Sequence, residues 1–167
     1  MRNYSVQRDC ILRILYVDER CSKYSLLEAG LIISSALLLS YGIRRWVCLE
    51  LYIKYCPLPS IERTLRIATR GSSIKGVSPH EPQLMGFVEH MVRRGYWPGV
   101  NIKESSIESI YEGNLRECIS LLEFLETVKC TSCVHLDRRE LPADLQPWWI
   151  LSSALVLYDA NCIQRYQ

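Results

Sequence analysis

Residues 25–53 constrain the fold more than any other stretch of the chain. Leu26, Leu27, Ile33, Leu37 and Leu38 recur at helical spacing and give residues 25–42 a wide apolar stripe. Ser25 is placed to cap that helix, with Glu28 three residues on completing a capping box, and Gly42 is placed to close it. Ile43-Arg44-Arg45 then leads into Trp46–Ile53, which is rich in β-formers and mostly apolar. A strand of that kind belongs in the middle of a parallel sheet, covered on both faces.

The same alternation continues on either side. Residues 10–16 read as a first strand and 18–24 as a loop. Pro57 and Pro59 mark a second loop, 63–68 a short strand, and 71–79 a Gly/Ser loop. Residues 80–94 predict a helix with Leu84, Phe87, Val88 and Met91 inward, cationic at its end through Arg93 and Arg94, and stopped by Gly95. Residues 100–103 predict a strand, and 106–128 a helix kinked near Gly113. Residues 130–136 and 148–152 read as two further strands, followed by a short terminal helix. Strands alternating with helices predict an α/β fold with a mostly parallel sheet flanked by helices. A length of 167 residues, with no linker or repeat, predicts one domain spanning 1–167.

The near-neutral total of +2 hides a division. Residues 41–103 hold ten Lys and Arg against four Asp and Glu, whereas 104–167 hold five against ten. A basic half suits a polyanion, because each neutralised phosphate releases counterions; a solvated cationic face is the plainer reading. No apolar run reaches the roughly 18 residues of a membrane helix. The opening MRNYSVQRDC has no apolar core of a signal peptide, so the expected location is the cytoplasm.

Eight cysteines stand at 10, 21, 48, 56, 118, 130, 133 and 162. Cys48, Cys118 and Cys162 lie among apolar neighbours and read as small core residues. Cys130-Thr-Ser-Cys133 is the one CxxC, and it falls on an expected strand. With Cys118 and His135 it can be drawn as a zinc set, but a second pair of ligands at zinc spacing is missing. Structural, disulfide, metal and redox roles stay open for it, and Cys133 with His135 lacks the third partner of a nucleophile pair. Fifteen Arg against five Lys is compatible with a thermophilic source, in which intracellular disulfides are less unusual.

Three segments carry a resemblance. Ser34-Ser35-Ala36-Leu37-Leu38-Leu39-Ser40 with Ile43-Arg44-Arg45 is similar to the "ALFLSHDIRRD" helix end of the archaeal tRNA pseudouridine-54 N1-methyltransferases, trefoil-knotted enzymes of the SPOUT superfamily. Gly76-Val77-Ser78-Pro79-His80-Glu81 looks like that family's "VSPDER" loop, and Trp97-Pro98-Gly99-Val100 like its "PGI" strand start. Trp46 stands where the family has an acidic residue. The resemblance implies a C-terminal trefoil knot, a homodimer, and structured RNA, rRNA or tRNA, as partner.

Within that frame Arg44 and Arg45 either grip phosphates or complement the helix dipole. Arg70, Lys75, Arg93 and Arg94 complete the expected RNA-binding set. Ser78 and Glu81 are already explained as a capping pair, and His80 reads as a surface residue.

The family binds S-adenosylmethionine in glycine-bearing loops resembling "LHxNGxD" and "FILGDHIGL". Here those become Val134–Glu140 and Trp149–Leu157, leaving Leu136, Asp137, Leu151, Ser152 and Ser153 as a degenerate cofactor site. No glycine follows Gly113, so Cβ atoms stand where a nucleoside would meet bare backbone. Methyl transfer needs the reacting atoms held in line at about 3 Å, and no other catalytic or metal signature is present. The expectation is therefore a non-catalytic RNA-binding protein with no cofactor, in a ribonucleoprotein such as the archaeal ribosome beside other ribosomal proteins. The alternative is an S-adenosylmethionine-dependent RNA pseudouridine N1-methyltransferase.

Overall fold

The computed structural model describes residues 10–39, 42–75, 81–104 and 118–163, apart from the side chains of 81–86. In chain order these form β1 (Leu12–Ser22), α1 (Ser25–Leu37), β2 (Leu38–Leu39), β3 (Gly42–Ile43), β4 (Val47–Leu58) and β5 (Ile61–Arg70). There follow α2 (Glu81–Arg94), β6 (Val100–Glu104), β7 (Ile119–Ser120), α3 (Leu121–Thr127) and β8 (Cys133–Asp137). A 3-10 turn, Arg138–Glu140, leads to α4 (Pro147–Tyr158) and a wider helical turn, Asp159–Ile163.

Six strands make one sheet in the order β6-β5-β4-β1-β8-β7. The fold is α/β, and the sheet is mixed. β1 runs parallel to β4 and β8, and β7 runs parallel to β8. β5 runs antiparallel to both β4 and β6. The antiparallel half follows from chain length: only Pro59 and Ser60 join β4 to β5. A two-residue link closes a hairpin, whereas a parallel return needs a dozen residues or more. Pro57, lacking an N–H, sits where the β4–β5 register slips between Tyr55 and Leu58.

Side-chain alternation divides the sheet into two faces. Leu12, Ile14, Tyr16, Leu49, Leu51, Leu65 and Ile67 point to one face and join a buried core with all four described helices. α1 gives Ala29, Ile32, Ile33, Ala36 and Leu37; α2 gives Phe87, Val88 and Met91; α3 and α4 give Phe124, Leu151 and Leu155. Strand neighbours of opposite parity point to the other face: Arg13 beside Cys48, Tyr52 beside Arg66, and Cys48 beside Arg70. There a small cluster of Leu15, Val17, Tyr52, Cys118 and Cys133 is buried as well.

Several expectations are corrected. Residues 148–152 are not a strand but part of α4, in which Leu151, Ala154, Leu155 and Tyr158 are buried at helical spacing. The β-forming run Trp148-Trp149-Ile150 is overridden by that spacing and by Pro147 in the first turn. β1 continues through the expected loop to Ser22, which pairs with Tyr55. α1 ends at Leu37, not Gly42, because Leu38–Leu39 turns back to pair with Gly42–Ile43. The Ser25 capping box does not form: Ser25 Oγ donates to the Ser22 carbonyl, and Glu28 pairs with Arg20. Of the helix expected over 106–128, the described part holds β7 and then α3; Gly113 lies outside the described residues, as do Ser78 and His80.

The cysteines depart furthest from expectation. All eight are paired, as Cys10–Cys48, Cys21–Cys56, Cys118–Cys133 and Cys130–Cys162. Their Cα atoms are 5.6, 5.4, 4.7 and 5.6 Å apart respectively, all within the normal span of a disulfide. Cys48, Cys118 and Cys162 are therefore half-cystines, not free core thiols. The CxxC is not a unit either, since Cys130 and Cys133 reach different partners.

Candidate nucleic-acid interface

Three turns converge at the end of the sheet where β1 and β4 begin. The first carries Arg44-Arg45 into β4, the second is Gly71–Lys75 after β5, and the third is Trp97–Gly99 before β6. Gly71 N donates to the Val47 carbonyl at 2.9 Å. A Cβ on Gly71 would lie 1.8 Å from the Arg44 carbonyl oxygen. On the other side, a Cβ on Gly99 would lie 2.0 Å from the Ser73 carbonyl oxygen, and Gly99 has φ +82°. Lys75 N donates to the Pro98 carbonyl at 3.3 Å, while the Trp97 indole N–H donates to the Lys75 carbonyl at 2.7 Å. Two glycines thus let the middle turn be clamped, backbone to backbone, between its neighbours.

The clamp brings together much of the cationic set read from the sequence. Arg45 and Lys75 are exposed, and Arg70 is half-buried at the end of β5. Arg93 and Arg94 are exposed at the end of α2, one turn before Tyr96 and Trp97. Arg93 has one loose contact, 4.0 Å to Glu89. Among the described residues no side chain pairs with the guanidinium of Arg70.

Arg44 departs from the set. It is only 5% exposed. Its Nε donates to Asp159 Oδ2 at 2.8 Å and its Nη1 to the Ser35 carbonyl at 3.0 Å. Trp46 Nε1 donates to the other oxygen of Asp159 at 3.2 Å. Asp159 thus joins the Arg-Arg turn to the C-terminal helix, and Arg44 is committed to packing where a phosphate grip was expected.

On the open sheet face, the clamp borders a cleft of about 530 Å³. Arg13, Glu50, Arg66 and Arg70 line it, together with Tyr96, Trp97, Gly99 and the Cys10–Cys48 bridge. One carboxylate serves two guanidiniums: Arg13 Nη2 lies 2.8 Å and Arg66 Nη2 3.5 Å from Glu50 Oε1. Tyr52 O–H donates to Glu50 Oε2 at 2.9 Å and accepts from Arg66 Nε at 3.1 Å. Burial raises the Tyr52 pKa above its ordinary value, against the pull of Arg66, so the phenol stays a donor at neutral pH. Trp97 is a strut, edge-on to Phe87 at 4.6 Å between ring centres. Tyr96 is 64% exposed.

Arg13, Glu50, Arg66 and Tyr96 escaped the sequence reading. Arg13 interrupts an apolar strand, and alternation alone predicts that it shares a face with Cys48 and Glu50 once the strands are paired in register. The pairing itself was missing, so nothing in the sequence joined these residues.

The expected cofactor residues lie elsewhere. Leu136 is buried in β8, and Asp137, the last residue of that strand, accepts from Arg139 N at 3.0 Å and pairs with its guanidinium at 2.8 Å. Leu151, Ser152 and Ser153 sit on α4, not on a loop. Leu151 faces the core, and Ser153 Oγ donates to the Trp149 carbonyl one turn back. They do not form the second of two loops at strand ends, which corrects the expected arrangement. Beside them, Arg20 bridges Asp18 and Glu28 at 2.8 Å each.

No helix among the described residues is long and apolar enough to cross a membrane. No protein-family model and no curated protein matches this chain.

Proposed function

We propose that this chain is a non-catalytic RNA-binding protein, working within a ribonucleoprotein such as an archaeal ribosome, with neighbouring ribosomal proteins as further partners. The observation that carries this reading is the clamp at Gly71 and Gly99. It gathers Arg45 and Lys75 from two of the turns and Arg70 from the end of β5 onto one end of the sheet, near the exposed Tyr96 of the third segment. Clustered cations with an aromatic nearby match what RNA offers, phosphates and unstacked bases. The resemblance to SPOUT methyltransferases supports the same reading and adds a C-terminal trefoil knot and a homodimer to the proposal.

Chemistry is the weaker alternative. Asp137 stands at the C-terminal end of a parallel strand, where open α/β sheets hold ligands, and this favours the S-adenosylmethionine-dependent reading. Against it, Asp137 is engaged by Arg139, and no glycine occurs after Gly113 to admit a nucleoside to the backbone. Four disulfides suit an oxidising compartment or the cytoplasm of a thermophile; the Arg-rich composition supports the latter.

The test is binding of structured RNA to the full chain across a salt series. Replacing Arg45, Arg70 and Lys75 together with Ala is expected to lower the slope of log K against log salt by about 2 to 3, roughly 0.7 to 0.9 for each lost phosphate contact. An unchanged slope refutes the interface. Titration with S-adenosylmethionine decides the alternative, because micromolar binding would reinstate the enzyme.

A further inference from the structure

We propose that the cleft on the open sheet face is a pocket for a single nucleoside monophosphate unit, with the phosphate on Arg70 and the base stacked on Tyr96. The proposal rests on and deepens the RNA-binding reading by naming the unit bound, and it joins Arg70 to Arg13, Glu50, Arg66 and Tyr96, which the sequence did not single out.

Three guanidiniums, of Arg13, Arg66 and Arg70, and one carboxylate, Glu50, line a cleft of about 530 Å³. That size lies within the range of small-molecule pockets, roughly 300 to 1,000 Å³. Two guanidiniums are held by Glu50 and Tyr52, which fixes their orientation before any ligand arrives. The surplus of two positive charges matches a phosphate monoester, which carries about −1.5 to −2 at neutral pH.

Tyr96 offers a surface for the second half of the ligand. Trp97 is engaged by the fold, edge-on to Phe87 and donating its indole N–H to the Lys75 carbonyl. The neighbouring Tyr96 lines the same cleft and is largely exposed. An exposed aromatic beside a cationic wall is what a base and its phosphate require together. Gly99 keeps this wall close, because any side chain there would strike the Ser73 carbonyl.

A free monophosphate presents the doubly ionised monoester and an RNA strand a singly charged diester on each unit, so the experiment uses both. The full chain is titrated calorimetrically with uridine 5′-monophosphate, adenosine 5′-monophosphate, uridine and inorganic phosphate, and separately with a structured RNA. Saturable binding of the monophosphates is expected, at least tenfold tighter than uridine or phosphate alone. Tyr96→Ala should weaken it by roughly five- to a hundredfold, the worth of one stacked base, and Arg70→Ala by tenfold or more. Neither side chain makes a hydrogen bond or ion pair to another described residue, and unchanged thermal unfolding of both variants verifies that the fold is intact.

Absence of saturable monophosphate binding, or binding indifferent to both variants, overturns the pocket. If RNA binding nonetheless depends on Arg45 and Lys75, the RNA-binding reading stands and the pocket falls. If monophosphates bind as expected and RNA does not, the pocket stands for a free nucleotide and the RNA-binding reading falls.

Discussion

Four glycines provide a graded test of the clamp, since each should respond differently to one added methyl group. At Gly99 an alanine Cβ would stand 2.0 Å from the Ser73 carbonyl oxygen and 2.7 Å from the Ile74 Cα, at φ +82°. Ordinary contact between heavy atoms begins near 3.5 Å, so the backbone must part by about 1.5 Å. Overpacking of that kind costs about 1 to 3 kcal/mol, and the left-handed conformation adds about 1 to 2 kcal/mol for alanine. Gly99→Ala should therefore lose about 3 kcal/mol or more. Gly71→Ala meets the Arg44 carbonyl oxygen at 1.8 Å without a left-handed φ, so it should lose about 2 to 3 kcal/mol. Gly95 has φ +67° but open space around it, and its alanine should lose about 1 kcal/mol. Gly42 has open space and no such φ; there alanine should be neutral or stabilise by up to about 1 kcal/mol through the unfolded chain. Urea unfolding of the four variants, with m-values held equal to the parent's, measures the series directly. The reasoning fails if Gly99→Ala and Gly71→Ala unfold at the same midpoint as Gly42→Ala.

Other outcomes follow from the same contacts. Arg44→Ala should lose about 2 kcal/mol by stranding the partly buried Asp159, while leaving the salt slope of RNA binding unchanged; Arg45→Ala should do the reverse, and identical behaviour of the two would contradict the geometry. Alkylation of the unfolded, unreduced chain should label none of the eight cysteines, and labelling of all eight would rule out the pairing. Replacing Cys130 and Cys162 with Ser opens a link across 32 residues and should cost about 3 to 4 kcal/mol in thermal or urea unfolding. Burial raises the Glu28 pKa above its ordinary value, with Arg20 opposing and Asp18 assisting. Its contribution is thus full below the unfolded value and is lost as pH rises through the folded one. Glu28→Gln should flatten that slope in a pH series of unfolding midpoints, and an unaltered series would show that the carboxyl is not the cause.

The local elements were legible because their signals are local. The apolar spacing of Leu26, Ile33 and Leu37 implies α1, and the apolar run after Trp46 implies β4, whatever the rest of the chain does. The cationic end of α2 and the stop at Gly95 were equally plain. α4 reads as a strand from its first turn of strand-favouring residues, and Pro147 together with packing of its helically spaced apolar face against α1 and α3 selects the helix.

By itself, then, the order of residues determined where the chain alternates and therefore the α/β class, along with a cationic middle and an acidic end. Tertiary structure decided which like residues do unlike work. Arg44 and Arg45 are neighbours, yet Asp159, 115 positions beyond Arg44, buries one and leaves the other in solvent. Eight cysteines admit 105 pairings, and the meeting of strands and turns selects one of them. The cleft has the same origin: Arg13, Glu50 and Arg66 lie on three strands, and only strand register sets their side chains on one face. Contacts across such distances depend on how segments close on one another in space, and that information is carried by no short stretch of sequence.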